Sequence, residues 1–123
     1  MSLTTPSKPT GQAERQHCPP RDGAIVCSKI STGDDQIAIK SSSATGVKHL
    51  VIAHNHFGAG HGMSIGSEFT GGVPDINVYD LSIDGLNMGT SGGSSNGIRI
   101  KSDTSRGGLL NNVTYSDVCV RNL

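Results

Sequence analysis

Gly33-Asp34-Asp35 sets two adjacent carboxylates just ahead of the apolar run Ile37-Ala38-Ile39. Like charges held close together raise the pKa of one partner, which suits a general acid standing beside a general base. Glycoside hydrolysis uses such a carboxyl pair, and inverting enzymes hold theirs about 6.5–9.5 Å apart so that a water fits. By itself a Gly-Asp-Asp segment also reads as an ordinary solvent-facing turn.

Gly60-His61-Gly62 displays a histidine at a turn where small neighbours let a ligand approach. His54, His56 and His61 fall close together and raise the question of a metal. On an extended strand His54 and His56 share a face, but His61 lies beyond a glycine turn. No cysteine or acidic cluster stands nearby in sequence, so the reading is no metal and no other cofactor. The glycine spacing also fails the GxGxxG pattern, because Met63 or Ile65 occupies the place of the last glycine.

Arg99-Ile100-Lys101 is the third group. On a strand Arg99 and Lys101 point the same way while Ile100 points inward. Two cations on one face are tolerated if they meet solvent or an anion. A polyuronate offers one carboxylate per sugar, which Arg can grip in bidentate fashion and Lys can attract as a point charge. Ser64, Ser67 and Glu68 follow the His61 turn, and Ser102, Asp103 and Arg106 follow Lys101; they shape a cleft or satisfy turns.

These groups need a scaffold, and the composition narrows what it can be. The 123 residues allow one domain at most. Apolar residues make up 33%, with 17 glycines and no Trp, which favours short strands and many turns over long helices. Ten basic and ten acidic residues cancel, so neither nucleic acid nor an anionic membrane is an expected partner. No apolar run approaches the roughly 18 residues of a spanning helix. Residues 1–22 read as a disordered or unrelated N-terminal arm, and Met1 to Pro20 lacks the apolar core of a signal peptide. Cys18, Cys27 and Cys119 leave at least one thiol unpaired, and without a CxxC pair no structural zinc site is expected.

From residue 23 onward, short Ile/Val-rich runs alternate with Gly, Ser, Asn and Asp. The runs are Ala24–Cys27, Ile37–Ile39, Leu50–Ile52, Met63–Ile65, Ile76–Ile83, Ile98–Ile100 and Val113–Tyr115. They also recur: Ile39 aligns with Ile65 and Ile100, and Val51 with Ile76 and Val113. A period in the mid-twenties predicts an all-β chain wound as a right-handed parallel β-helix of about four coils, incomplete at both ends. Thr90–Asn96 reads as a Gly/Ser-rich loop inserted in one coil. An antiparallel sandwich is the competing architecture, but it has no need of a constant repeat. In a stack of coils Asp34, His61 and Arg99 would lie above one another, as a cleft for an acidic polysaccharide requires.

Ser31 to Lys40, Gly60 to Glu68 and Gly97 to Ser102, with the tail at Ser105-Arg106-Gly107-Gly108, strongly resemble the polygalacturonase family of glycoside hydrolases. The resemblance covers Ala24 to Leu123. It implies inverting hydrolysis of α-1,4-linked galacturonate in pectin by a secreted, monomeric protein. It also implies roles: Asp34 as general acid, Asp35 as an aid to water activation, and His61 as support for the acid. Arg99 and Lys101 would bind the substrate carboxylate. The family's third carboxylate belongs to an Asn-Thr-Asp segment about one coil upstream of the pair. The stretch from Gly11 to Arg15 contains none, and Asp22 lies too close to replace it. The expectation is therefore a weak or inactive enzyme, the alternative being a non-catalytic galacturonan-binding fragment or pseudoenzyme. Asn112-Val113-Thr114 is a formal N-glycosylation sequon.

Overall fold

The computed structural model describes residues 23–42, 48–85 and 96–123. The N-terminal arm, Cys18 and nearly all of the Thr90–Asn96 insertion lie outside them. The described residues form eight strands and no helix: β1 (Ala24–Val26), β2 (Lys29–Ile30), β3 (Ile37–Ile39), β4 (Leu50–Phe57), β5 (Met63–Ile65), β6 (Val73–Asp84), β7 (Ile98–Ile100) and β8 (Leu110–Arg121). No helix among them is therefore long and apolar enough to cross a membrane.

Every ladder is parallel. One sheet runs β1-β4-β6-β8, with β2 also on β4, and a second runs β3-β5-β7. Each strand thus pairs with strands from the preceding and following passes of the chain, consistent with a parallel β-helix and not with an antiparallel sandwich. The predicted column Ile39–Ile65–Ile100 is present, and Ile76 pairs with Val113. The predicted Val51–Ile76 match is off by one residue, because Leu50 pairs with Ile76 and Val51 with Asn77. A one-residue slip reverses which side chains face inward. Leu50 and Ile52 are the buried members of that run, and Val51 is only half-buried.

The long strands turn corners at single residues in the left-handed region. Cys27, His54, Asp80 and Asp117 have φ between 48° and 56°, and they occupy equivalent places in successive coils. A second set is His49, Asp75 and Asn112. His, Asp and Asn are among the few non-glycine residues that tolerate this conformation. Their side chains also bond along the stack: His54 Nδ1 lies 2.6 Å from Asp80 Oδ2, and Asn112 Nδ2 donates to Asp75 Oδ1 at 2.6 Å. His54 is thus a corner residue and His56 faces Ser82 at 2.6 Å, so both serve the stack.

Inside the coils lies a single apolar core. Ile52, Phe57, Met63, Ile65, Val78 and Ile83 are fully buried, each contributing about 1.5–3 kcal/mol relative to exposure. Asn55 is one of the buried polar residues. Its Nδ2 donates to the Ile25 carbonyl and its Oδ1 accepts from the Ser28 amide, so it satisfies backbone at the corner between β1 and β2. β7 departs from the sequence reading in one respect. Ile100 stacks on the fully buried Ile65 yet is 56% exposed, because no described strand covers the far side of β7.

Candidate active site

Asp34 and Asp35 sit in the short connection between β2 and β3, one coil before His61 and two before Arg99. Backbone bonds lock this register. The His61 amide donates to the Asp34 carbonyl at 2.8 Å, and the Gln36 amide to the Gly62 carbonyl at 2.9 Å. On the next coil the Met63 amide donates to the Gly97 carbonyl at 2.9 Å, and β5 pairs Ser64 with Arg99. The structure therefore brings all five sequence-predicted residues together on one face.

The two aspartates have opposite environments. Asp34 is exposed, with 86% of its side chain accessible. Its Oδ1 lies 3.2 Å from His61 Nδ1 and accepts the Asp35 amide at 2.7 Å. Thr32 fixes the turn beneath it, its hydroxyl donating to the Asp34 carbonyl at 2.6 Å and accepting the Asp34 amide at 3.1 Å. Asp35, by contrast, keeps only 8% of its side chain accessible. Its Oδ1 accepts from Arg99 Nη2 at 2.6 Å and Ser64 Oγ at 2.9 Å, and its Oδ2 accepts from Lys101 Nζ at 2.9 Å. Burial pushes the Asp35 carboxyl up, but the bonds from Lys101, Ser64 and Arg99 and the Lys101 charge outweigh it and hold it below the usual carboxylate range. Asp35 is thus a fixed anion at neutral pH. A carboxylate has about four lone-pair sites, and three are taken.

Arg99 and Lys101 do point the same way, as alternation on a strand requires, and both converge on Asp35. The trio carries one net positive charge, which the Asp34 carboxyl beside it offsets, so any pull on a further anion is local to Arg99 and Lys101. His61 stands at the rim between Gly60 and Gly62, whose φ values of 145° and 84° lie in the region that side chains avoid. A Cβ on Gly62 would meet the Gly97 carbonyl oxygen at 2.2 Å, so the turn and the next coil fit only without one.

The roles of two further residues were not read from sequence. Gln36 is buried, and its amide nitrogen donates to the Gly58 and Ala59 carbonyls at 2.9 and 2.7 Å. Its oxygen accepts the Gly62 amide at 2.5 Å, so one side chain clamps the turn that presents His61. Ser64, fully buried, bridges Asp35 and Arg99, accepting from Arg99 Nε at 3.2 Å. Sequence reading offered Ser64 as a cleft-shaping or turn residue; only the alignment of β5 between β3 and β7 reveals the bridge. Ligand atoms of Asp34, Asp35 and His61 all lie within 4.8 Å of one another. The acidic neighbours that His61 lacks in sequence are thus supplied by the preceding coil. His54 and His56, bonded elsewhere, do not join them.

A fixed carboxylate under two cations, beside an exposed carboxyl touching a histidine, suits a saccharide that carries acid groups. Residues 22–123 match the model of glycosyl hydrolases family 28. The chain belongs to that family. It is 55% identical over 99 residues to a polygalacturonase of Ralstonia nicotianae, covering 80% of this chain and 18% of the relative. It is 46% identical over 100 residues to an endo-polygalacturonase of Pectobacterium parmentieri, covering 80% and 23%. A polygalacturonase of Fusarium fujikuroi is 37% identical over 92 residues, covering 73% and 21%. The chain spans about a fifth of the length of these relatives. No solved structure matches it.

Proposed function

We propose that the site recognises and cleaves α-1,4-linked galacturonan, the acidic backbone of pectin, outside the cell, on a right-handed parallel β-helix of about four coils. The observation that carries this reading is the Asp35 trio. Arg99 and Lys101 are held in place by Asp35 and Ser64, yet their combined charge exceeds that of the carboxylate beneath them. A uronate carboxylate arriving there meets preorganised donors, since Lys has three protons and Arg five N–H groups. Names of relatives that act on polygalacturonate support the same substrate class.

In this reading Asp34 is the general acid. It is exposed at the rim, where a glycosidic oxygen can reach it, and His61 orients its carboxyl. Asp35 holds the two cations and has one lone-pair site free for a water. Inversion is proposed from the family likeness and not from the spacing of the pair. An oxygen of Asp34 and one of Asp35 lie within 4.8 Å, closer than the roughly 6.5–9.5 Å that leaves room for an attacking water between acid and base. The two aspartates alone therefore make a poor inverting pair, and the 123-residue chain by itself binds galacturonan and turns it over slowly or not at all.

Reducing-end release from polygalacturonate, measured for the chain and its Asp34→Asn variant alongside oligogalacturonate binding, tests both halves. The expected result is salt-sensitive binding with hydrolysis close to the uncatalysed rate. Brisk turnover abolished by Asp34→Asn would overturn the second half, and absence of binding would overturn the first.

A further inference from the structure

The turn from Gly58 to Gly62, which carries His61, is bonded to the coil that carries the aspartate pair. The Gly58 amide donates to the Ile30 carbonyl at 2.9 Å, and the Thr32 amide to the Ala59 carbonyl at 2.8 Å. The His61 amide reaches the Asp34 carbonyl at 2.8 Å, and the Gln36 amide reaches the Gly62 carbonyl at 2.9 Å. Gln36 then takes the groups that this backbone pattern leaves over. Its Nε2 spends both hydrogens on the Gly58 and Ala59 carbonyls, and its Oε1 accepts the Gly62 amide. Only a carboxamide carries two donors and an acceptor at one tip without charge. Gly60 completes the fit. A Cβ there would run into Nε2, Cδ and Oε1 of Gln36, and its φ of 145° already disfavours a side chain.

We propose that Gln36 is a positioning residue for the Asp34–His61 pair, and that it acts on this pair without acting on the Asp35 trio. His61 is displayed between two glycines, where the backbone has more freedom than on a strand. Its Nδ1 meets Asp34 Oδ1 at 3.2 Å, near the long end of a hydrogen bond, so a small rotation of the turn breaks the contact. Thr32 fixes the Asp34 side of the pair, and Gln36 fixes the His61 side. The trio has a different support. Ser64 and Arg99 stand in the β3-β5-β7 ladder, and Asp35 and Lys101 lie beside its strands. The Ile37–Met63, Ala38–Ser64 and Ser64–Arg99 pairings hold that ladder through backbone and need no carboxamide. The site thus has two halves, each with its own scaffold. The catalytic meaning of the Asp34–His61 pair rests on the reading above, whereas its positioning by Gln36 does not.

Nuclear magnetic resonance of the isotope-labelled chain separates positioning from stabilisation alone. In the wild type, Asp34→Asn should displace the ring signals of His61, because the two side chains touch. Gln36→Met keeps the length of the side chain and removes its carboxamide. In that background the displacement by Asp34→Asn should be lost, while the Arg99 Nε–H signal stays where the wild type has it. A second measurement needs no variant. The Gly62 amide has Gln36 Oε1 as its acceptor, so it should exchange with solvent as slowly as the Met63 amide, which is bonded to the Gly97 carbonyl. A His61 ring that still answers to Asp34→Asn in Gln36→Met would make Gln36 a stabilising residue only and overturn the proposal. So would an Arg99 signal that moves with the Gln36 substitution. A Gly62 amide that exchanges like an open loop would overturn it as well, and that result decides the matter if Gln36→Met does not fold. No sugar enters these measurements, so their failure is distinct from a failure of galacturonan binding.

Discussion

Replacing Asp35 by Asn keeps the shape of the site and removes its central charge. Arg99 and Lys101 then lose their counter-ion, and an amide nitrogen faces one of them. Breaking a fully buried ion pair costs about 3–5 kcal/mol. Arg99 and Lys101 retain 29% and 35% of their side-chain exposure, so water resolvates part of what is lost and the expected cost is nearer about 2–3 kcal/mol. The pH dependence gives an independent sign. Asp35 has a depressed folded pKa, so the unfolded chain binds the proton more readily. Its stabilisation is complete above the unfolded value, about 3.9, and fades as pH falls through the lower folded value. Urea unfolding followed by far-ultraviolet circular dichroism, from acid to neutral pH, measures both effects. The wild type should lose stability in the acid range, and Asp35→Asn should be weaker at neutral pH with a flatter acid limb. A variant within about 0.5 kcal/mol of wild type at neutral pH, the range of a neutral surface change, would refute the reasoning.

Other expectations follow from single contacts. Ser64→Ala removes a buried hydroxyl between Asp35 and Arg99 and should cost about 1–2 kcal/mol in urea unfolding. Gly62→Ala forces a side chain against the Gly97 carbonyl at positive φ and should prevent cooperative folding, seen as loss of the thermal transition. Phe57→Ala empties a fully buried position and should cost about 3–5 kcal/mol, whereas His54→Ala, at an exposed corner, gives up the Asp80 contact and puts alanine at positive φ and should cost about 1–2 kcal/mol. Burial pushes the Tyr115 phenol up, and its hydroxyl has no hydrogen-bond partner among the described residues. Ultraviolet titration should therefore show one tyrosine ionising above the usual phenol range, a signal that Tyr115→Phe removes.

The parallel stack was legible because its repeat is written in apolar residues. Ile39, Ile65 and Ile100 recur where each coil needs an inward side chain, and each stands in the predicted ladder. Boundaries were less legible. β2 is only Lys29-Ile30, too short to show alternation, and β4 runs on through His54-Asn55-His56, beyond the apolar run that ends at Ile52. That stretch is strand because His54 takes the corner and Asn55 satisfies backbone of the coil below. The five candidate residues were visible because polar groups interrupted apolar runs. Gln36 and Ser64 were not recognised in their roles, since their partners lie a full coil away and nothing in their local sequence marks them. The different environments of Asp34 and Asp35 were not legible in the sequence either. Their difference arises from β7, whose Arg99, with Lys101 just beyond, covers one carboxylate and not the other.

The central claim is that the Asp35 trio and its rim form a site for a polyanionic sugar chain. Titrating isotope-labelled protein with trigalacturonate, and separately with uncharged galactotriose, tests it by nuclear magnetic resonance. The account predicts saturable shifts centred on Asp34, His61, Arg99 and Lys101 for the acidic sugar, weakening as salt is added, and little response to the neutral one. Equal binding of the two sugars, or shifts centred elsewhere on the stack, would contradict it.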